Sequence, residues 1–152
     1  MIKSRLGLAI GLCMTVSANS ALAETAWDMF VTRCLDPYEN LALAIHDGLD
    51  EQPADQTRDA ETIFGPTTEG YLLVLNAAPD EGERACAVHD PSATEPGSDY
   101  LEWIDDAMQR QLYVPIDGML STNEWIEPQL QLEARFGDGG VVYEVIETEL
   151  ES

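Results

Sequence analysis

Apolar positions between residues 24 and 152 recur with two periods, and the switch between them lays out the elements. Trp27, Phe30, Val31, Cys34 and Leu35 follow i, i+3, i+4, i+7 and i+8, the spacing of one helix face, so a helix is predicted from Thr25 onward. Asp36-Pro37-Tyr38-Glu39 reads as a second start, with Asp36 as N-cap, Pro37 at the first helical position and Glu39 closing a capping box. That second helix is expected to reach Asp47, with Leu41, Ile45 and Leu49 on its apolar side and Gly48 as its stop. Residues 50–62 carry charges, a proline and no large apolar side chain, the pattern of a solvated loop.

The period then shortens. Tyr71–Asn76 and Ala85–Val88 are short apolar runs separated by Ala-Ala-Pro-Asp-Glu-Gly-Glu, which predicts a β-hairpin with Cys86 on its returning strand. After the loop 90–98, Leu101, Ile104, Met108 and Leu112 share a helical stripe behind an N-cap at Ser98 or Asp99, while Glu102, Asp105, Asp106 and Arg110 lie mostly opposite. Val114–Glu127 holds too many breakers for one long element and is expected to be irregular. Leu130, Leu132, Ala134 and Phe136 alternate with polar residues, Gly137-Asp138-Gly139-Gly140 turns the chain, and Val141–Ile146 returns as a second hairpin. The class predicted is α+β: N-terminal helices, two β-hairpins forming a mostly antiparallel sheet, and one amphipathic helix between them packed on that sheet.

Residues 1–23 stand apart. Lys3 and Arg5 precede an apolar run from Leu6 to Val16, and Ala21-Leu22-Ala23 ends the segment in the small-x-small form of a secretory cleavage site. The run is about half the length that spans a bilayer, so a cleavable leader is expected rather than an anchor. Leu12 before Cys13 is too large for a lipidation site. Two regions follow: a leader over 1–23 and a single domain over 24–152.

Cleavage sharpens the charge. The whole chain has 7 Lys and Arg against 29 Asp and Glu, a net charge of −22. Removing 23 of its 152 residues leaves 129, and five arginines against 29 acids give −24 with no lysine. Such a surface repels phosphate backbones and anionic headgroups, which argues against nucleic acid and, once the leader is gone, against membranes. It suits a basic protein or a cationic ligand, or solubility in salty surroundings. Cleavage also leaves only Cys34 and Cys86, in an oxidising compartment where thiols pair, so a Cys34–Cys86 disulfide is expected.

Candidate chemistry is sparse. His46 and His89 are each followed by an aspartate, Asp47 and Asp90, which allows a shared zinc site, although both pairs sit before turn formers and read as surface element ends. Asp105 and Asp106 point about 100° apart on a helix and do not converge on one atom. No GxSxG, HExxH, P-loop or GxGxxG is present, and no cofactor is implied. Trp103, Tyr113 and Trp125 are the aromatic candidates for a ligand surface. The reading favoured is a non-enzymatic, exported, acidic binding or accessory domain of the periplasm or extracellular space. The alternative is a small periplasmic hydrolase with a carboxylate or histidine site.

Overall fold

A computed structural model of the chain describes residues 23–54, 61–76 and 84–148. The expected leader up to Leu22, the hairpin loop 77–83 and part of the 50–62 loop lie outside the described residues.

The helical segment begins at Thr25, whose hydroxyl accepts from the Asp28 N–H at 3.0 Å while the Asp28 carboxylate accepts from the Thr25 N–H at 3.2 Å. This capping box satisfies two donors that the first turn leaves free. Helix α1 (Ala26–Phe30) runs into a wider π-helical turn (Val31–Leu35) and then α2 (Asp36–Glu39). No new start occurs at Asp36, which has helical dihedrals and gives its N–H to the Val31 carbonyl five residues back. Pro37 has no N–H to give and its ring crowds the preceding turn, so a turn one residue wider lets the helix pass through it.

That helix stops at Glu39, well short of Asp47. Leu41 turns into the left-handed region at φ 57°, its N–H reaching the Tyr38 carbonyl and the Ala42 N–H reaching the Pro37 carbonyl at 2.8 Å. This is the Schellman pairing, formed on a leucine rather than a glycine. Residues beyond it lie across the helix, where Arg33 donates to the carbonyls of Ile45 and Asp47 at 3.1 Å each.

Among the described residues, seven antiparallel strands form one sheet in the order β1-β2-β3-β7-β6-β5-β4. They are β1 (Glu61–Phe64), β2 (Leu72–Asn76), β3 (Arg84–Asp90), β4 (Tyr113–Ile116), β5 (Met119–Thr122), β6 (Leu130–Gly137) and β7 (Gly140–Glu147), with α3 (Ser98–Gln109) between β3 and β4. The chain is therefore an antiparallel α+β fold. Phe64, Leu73, Val88, Tyr143 and Ala134 form one register row on the face that meets the helices. Cys86 stands on that same face and is bonded to Cys34, with Cα atoms 5.5 Å apart, so the disulfide ties the helical segment to a central strand.

Three strands depart from the sequence reading. Tyr113–Ile116 and Met119–Thr122 form a hairpin where irregular chain is expected, and Glu61–Phe64 adds an edge beside β2. Asp117 and Gly118 have φ of 51° and 85°, the two positive values that a tight hairpin loop needs. Pro115 is tolerated because β4 is the last strand of the sheet, where a missing donor breaks no ladder.

Helix α3 is also rotated from its expected face. It starts after Gly97 with no side-chain cap, and Leu101 and Met108 are 54% and 42% exposed. Tyr100 and Ala107 are buried instead, with Trp103 and Ile104 packed beside them. The aromatic rings decide the rotation. Trp27 meets Tyr100 at 5.0 Å, Trp103 at 5.4 Å and Tyr143 at 5.3 Å between centroids, and these large surfaces outweigh the two aliphatic side chains left in water.

Candidate functional site

The N-termini of α1 and α3 meet above the end of β3, and a cleft of about 300 Å3 opens between them. Trp27, Tyr71 and Tyr143 contribute its aromatic lining, and Asp90, Glu95 and Asp99 its carboxylates. Each position has a local cause. Asp90 accepts from the Ser92 and Ala93 N–H groups at 2.9 and 3.2 Å, an Asx turn that ends β3 and aims the loop back toward α3. Asp99 accepts the Thr25 hydroxyl at 2.7 Å, so the two helix starts are joined side chain to side chain. The Tyr143 hydroxyl accepts from the Gly97 N–H at 3.0 Å and holds the loop against β7.

The electrostatics of this cleft are one-sided. Burial pushes the Tyr71 phenol above its usual 10.0, and Asp90, Glu69, Glu24 and Asp28 push it further in the same direction. Tyr143 is raised for the same first reason, with Asp99 and Asp90 adding to it and the Gly97 N–H opposing. No basic residue is among the described lining. The four described arginines are engaged elsewhere: Arg33 on loop carbonyls, Arg84 on Glu147 and over the Tyr38 ring at 5.0 Å, Arg110 on Asp106, and Arg135 on Glu133 and Glu144. The positive ends of the helix dipoles are met by Asp28 and Asp99, leaving little pull on an anion.

Comparison of this chain with family models, with curated proteins and with solved structures gives no match. Function therefore rests on the residues themselves.

The expected aromatic candidates do not converge on this cleft. Trp103 stacks edge-on against Tyr113 at 5.2 Å, and Tyr113 is buried with its hydroxyl donating to Glu39 at 2.8 Å. Trp125 sits apart from them in exposure, at 65%, on the loop before β6. Tyr113 instead lines a second, smaller cavity with Glu39, Leu112 and Leu130.

The two histidines have separate partners. His46 stacks on Phe64 at 4.6 Å, whereas His89 is hydrogen-bonded to the Gly139 carbonyl at 2.8 Å. Neither lines the cleft or the smaller cavity, and among the described residues no group of three His, Cys, Asp or Glu side chains is placed to hold a metal. No local pattern brings the cleft residues together, because they come from α1, β3, α3, β7 and the loops before β2 and α3. Local signals existed for two of them, the Thr25-x-x-Asp28 box and the Asp90-Pro91-Ser92 turn, but nothing in the chain links either to Tyr71 or Tyr143.

Proposed function

We propose that this is an exported, non-enzymatic binding domain that captures a cationic group, supplied by a basic protein or a positively charged ligand, in the cleft between α1 and α3. Export rests on the leader over 1–23 and agrees with the disulfide, which belongs to an oxidising compartment. Among the described residues no helix is long and apolar enough to cross a membrane. The scaffold is the pair of hairpins β2–β3 and β6–β7 with α3 between them in sequence, and it works as a rigid support for the two helix starts.

A single observation carries the reading: three carboxylates surround an aromatic-lined cleft with no basic residue among its described lining. Aromatic faces attract cations, more strongly where water is excluded, and carboxylates add direct ion pairing.

The test is titration of the disulfide-closed protein with a short arginine-rich peptide at several ionic strengths. Affinity should fall steeply with salt, since exposed charges are screened within about 8 Å at physiological strength. Tyr71→Ala should weaken binding about fivefold to tenfold, and Glu95→Gln should weaken it while leaving the Asp90 and Asp99 contacts intact. Binding that ignores both salt and these substitutions would overturn the proposal.

A further inference from the structure

The smaller cavity lies near the end of α2, and an inference about it stands without the cleft. Its volume is about 190 Å3, above the roughly 150 Å3 of a protein void that takes up benzene. Leu112, Ile126, Pro128 and Leu130 give it apolar walls, and Glu39 and Glu127 bring carboxylates to it. Its two hydroxyls are already engaged. The Thr122 hydroxyl accepts from the Leu130 N–H at 2.9 Å, and the Tyr113 hydroxyl donates to Oε1 of Glu39. The side-chain polar capacity left for a ligand is therefore acceptor only: the other carboxylate oxygen of Glu39 and the carboxylate of Glu127. No basic residue is among the described lining.

We propose that this cavity binds a small primary ammonium ion bearing one aromatic ring, with the ring between Leu112, Ile126 and Leu130 and the ammonium on Glu39. A ring of that size fills the apolar volume, and an ammonium donates three hydrogen bonds where the site offers only acceptors. Burial already raises the Glu39 carboxyl above its usual 4.5; Asp36 adds to the rise, while Tyr113 and Arg110 oppose it. Arg110 is itself paired with Asp106 at 3.1 Å. Among the described residues no ion pair is formed to Glu39, and the ligand's ammonium supplies one. Carboxylates and phosphates are excluded by the same charge.

Calorimetric titration with benzylammonium, and with benzyl alcohol as its neutral counterpart, tests this. Benzylammonium should bind saturably, and benzyl alcohol about tenfold more weakly. Glu39→Gln keeps an acceptor for Tyr113, so it should preserve the fold, lower benzylammonium affinity about tenfold and leave benzyl alcohol unchanged. Ile126→Trp, on the loop that walls the cavity, should abolish binding of both. Absence of saturable binding would overturn the inference, as would equal affinity for the alcohol. Loss of benzylammonium binding in Tyr71→Ala but not in Glu39→Gln would move the ligand to the cleft, which contradicts this proposal while favouring the other.

Discussion

Tyr113 on β4 donates its hydroxyl to Glu39 at the end of α2, across 2.8 Å and 74 residues of sequence. The bond couples the helical segment to the last strand of the sheet, four places in strand order from β3, where the disulfide ties the same segment down. Tyr113→Phe removes the donor and should cost about 1 kcal/mol in denaturant midpoint analysis, the usual worth of such a bond. It should also raise the Glu39 carboxyl further, because the hydroxyl now lowers it.

Glu39 sets a pH dependence whose sign follows from the direction of its shift. Its folded carboxyl titrates above the usual 4.5, so between those two values the folded chain binds more protons than the unfolded one. Stability must then fall as pH rises through that interval. Comparing thermal midpoints of wild type and Glu39→Gln across pH 4 to 7 should show the variant gaining relative stability as pH rises; a constant difference would contradict the shift.

The disulfide closes a segment with its ends 52 residues apart. Replacing Cys34 and Cys86 together by alanine should cost about 4 kcal/mol by chain entropy, measured as a drop in denaturant midpoint. The two sulfurs are bonded to each other, so thiol titration of the unfolded, unreduced protein should find neither Cys34 nor Cys86 free.

Gly140 opens β7 at φ 108°, a conformation that side chains rarely adopt. A Cβ there would press on the Asp90 carbonyl oxygen and come within 2.9 Å of the Pro91 Cα, both backbone atoms that cannot swing aside. Gly140→Ala should therefore destabilise by about 1–3 kcal/mol. It should also disturb the Asp90 turn at the rim of the cleft, which amide shifts of Ser92 and Ala93 would report.

Two tryptophans separate core from surface. Trp27 is buried and touches four other rings, so Trp27→Ala should cost about 3–5 kcal/mol. Trp125 is 65% exposed, and Trp125→Ala should change stability by less than about 0.5 kcal/mol.

These residues also show what the chain discloses by itself. The face of the first helix and the pairing of Cys34 with Cys86 follow from the chain itself, the first from the spacing of near neighbours and the second because residues 24–152 hold only those two cysteines. The face of α3 does not. Leu101 and Met108 look like core in a helical stripe, and only the approach of Trp27 from another element gives Tyr100 and Trp103 the larger burial. The β4–β5 hairpin carried its Asp117-Gly118 signal openly, yet Pro115 masks it unless the strand is known to be an edge. Neither cavity was legible, since Tyr71 and Tyr143, or Glu39 and Tyr113, meet only after the sheet has closed its order.

The cleft between α1 and α3 is tested most directly by amide shift mapping of the labelled protein during titration with an arginine-rich peptide. Binding of a cationic group there predicts saturable shifts first at Tyr71, Gly97, Asp99 and Tyr143, disappearing as salt is raised. Shifts spread evenly over exposed acids such as Glu102, Asp105 and Asp106, with those four amides unmoved, would contradict it.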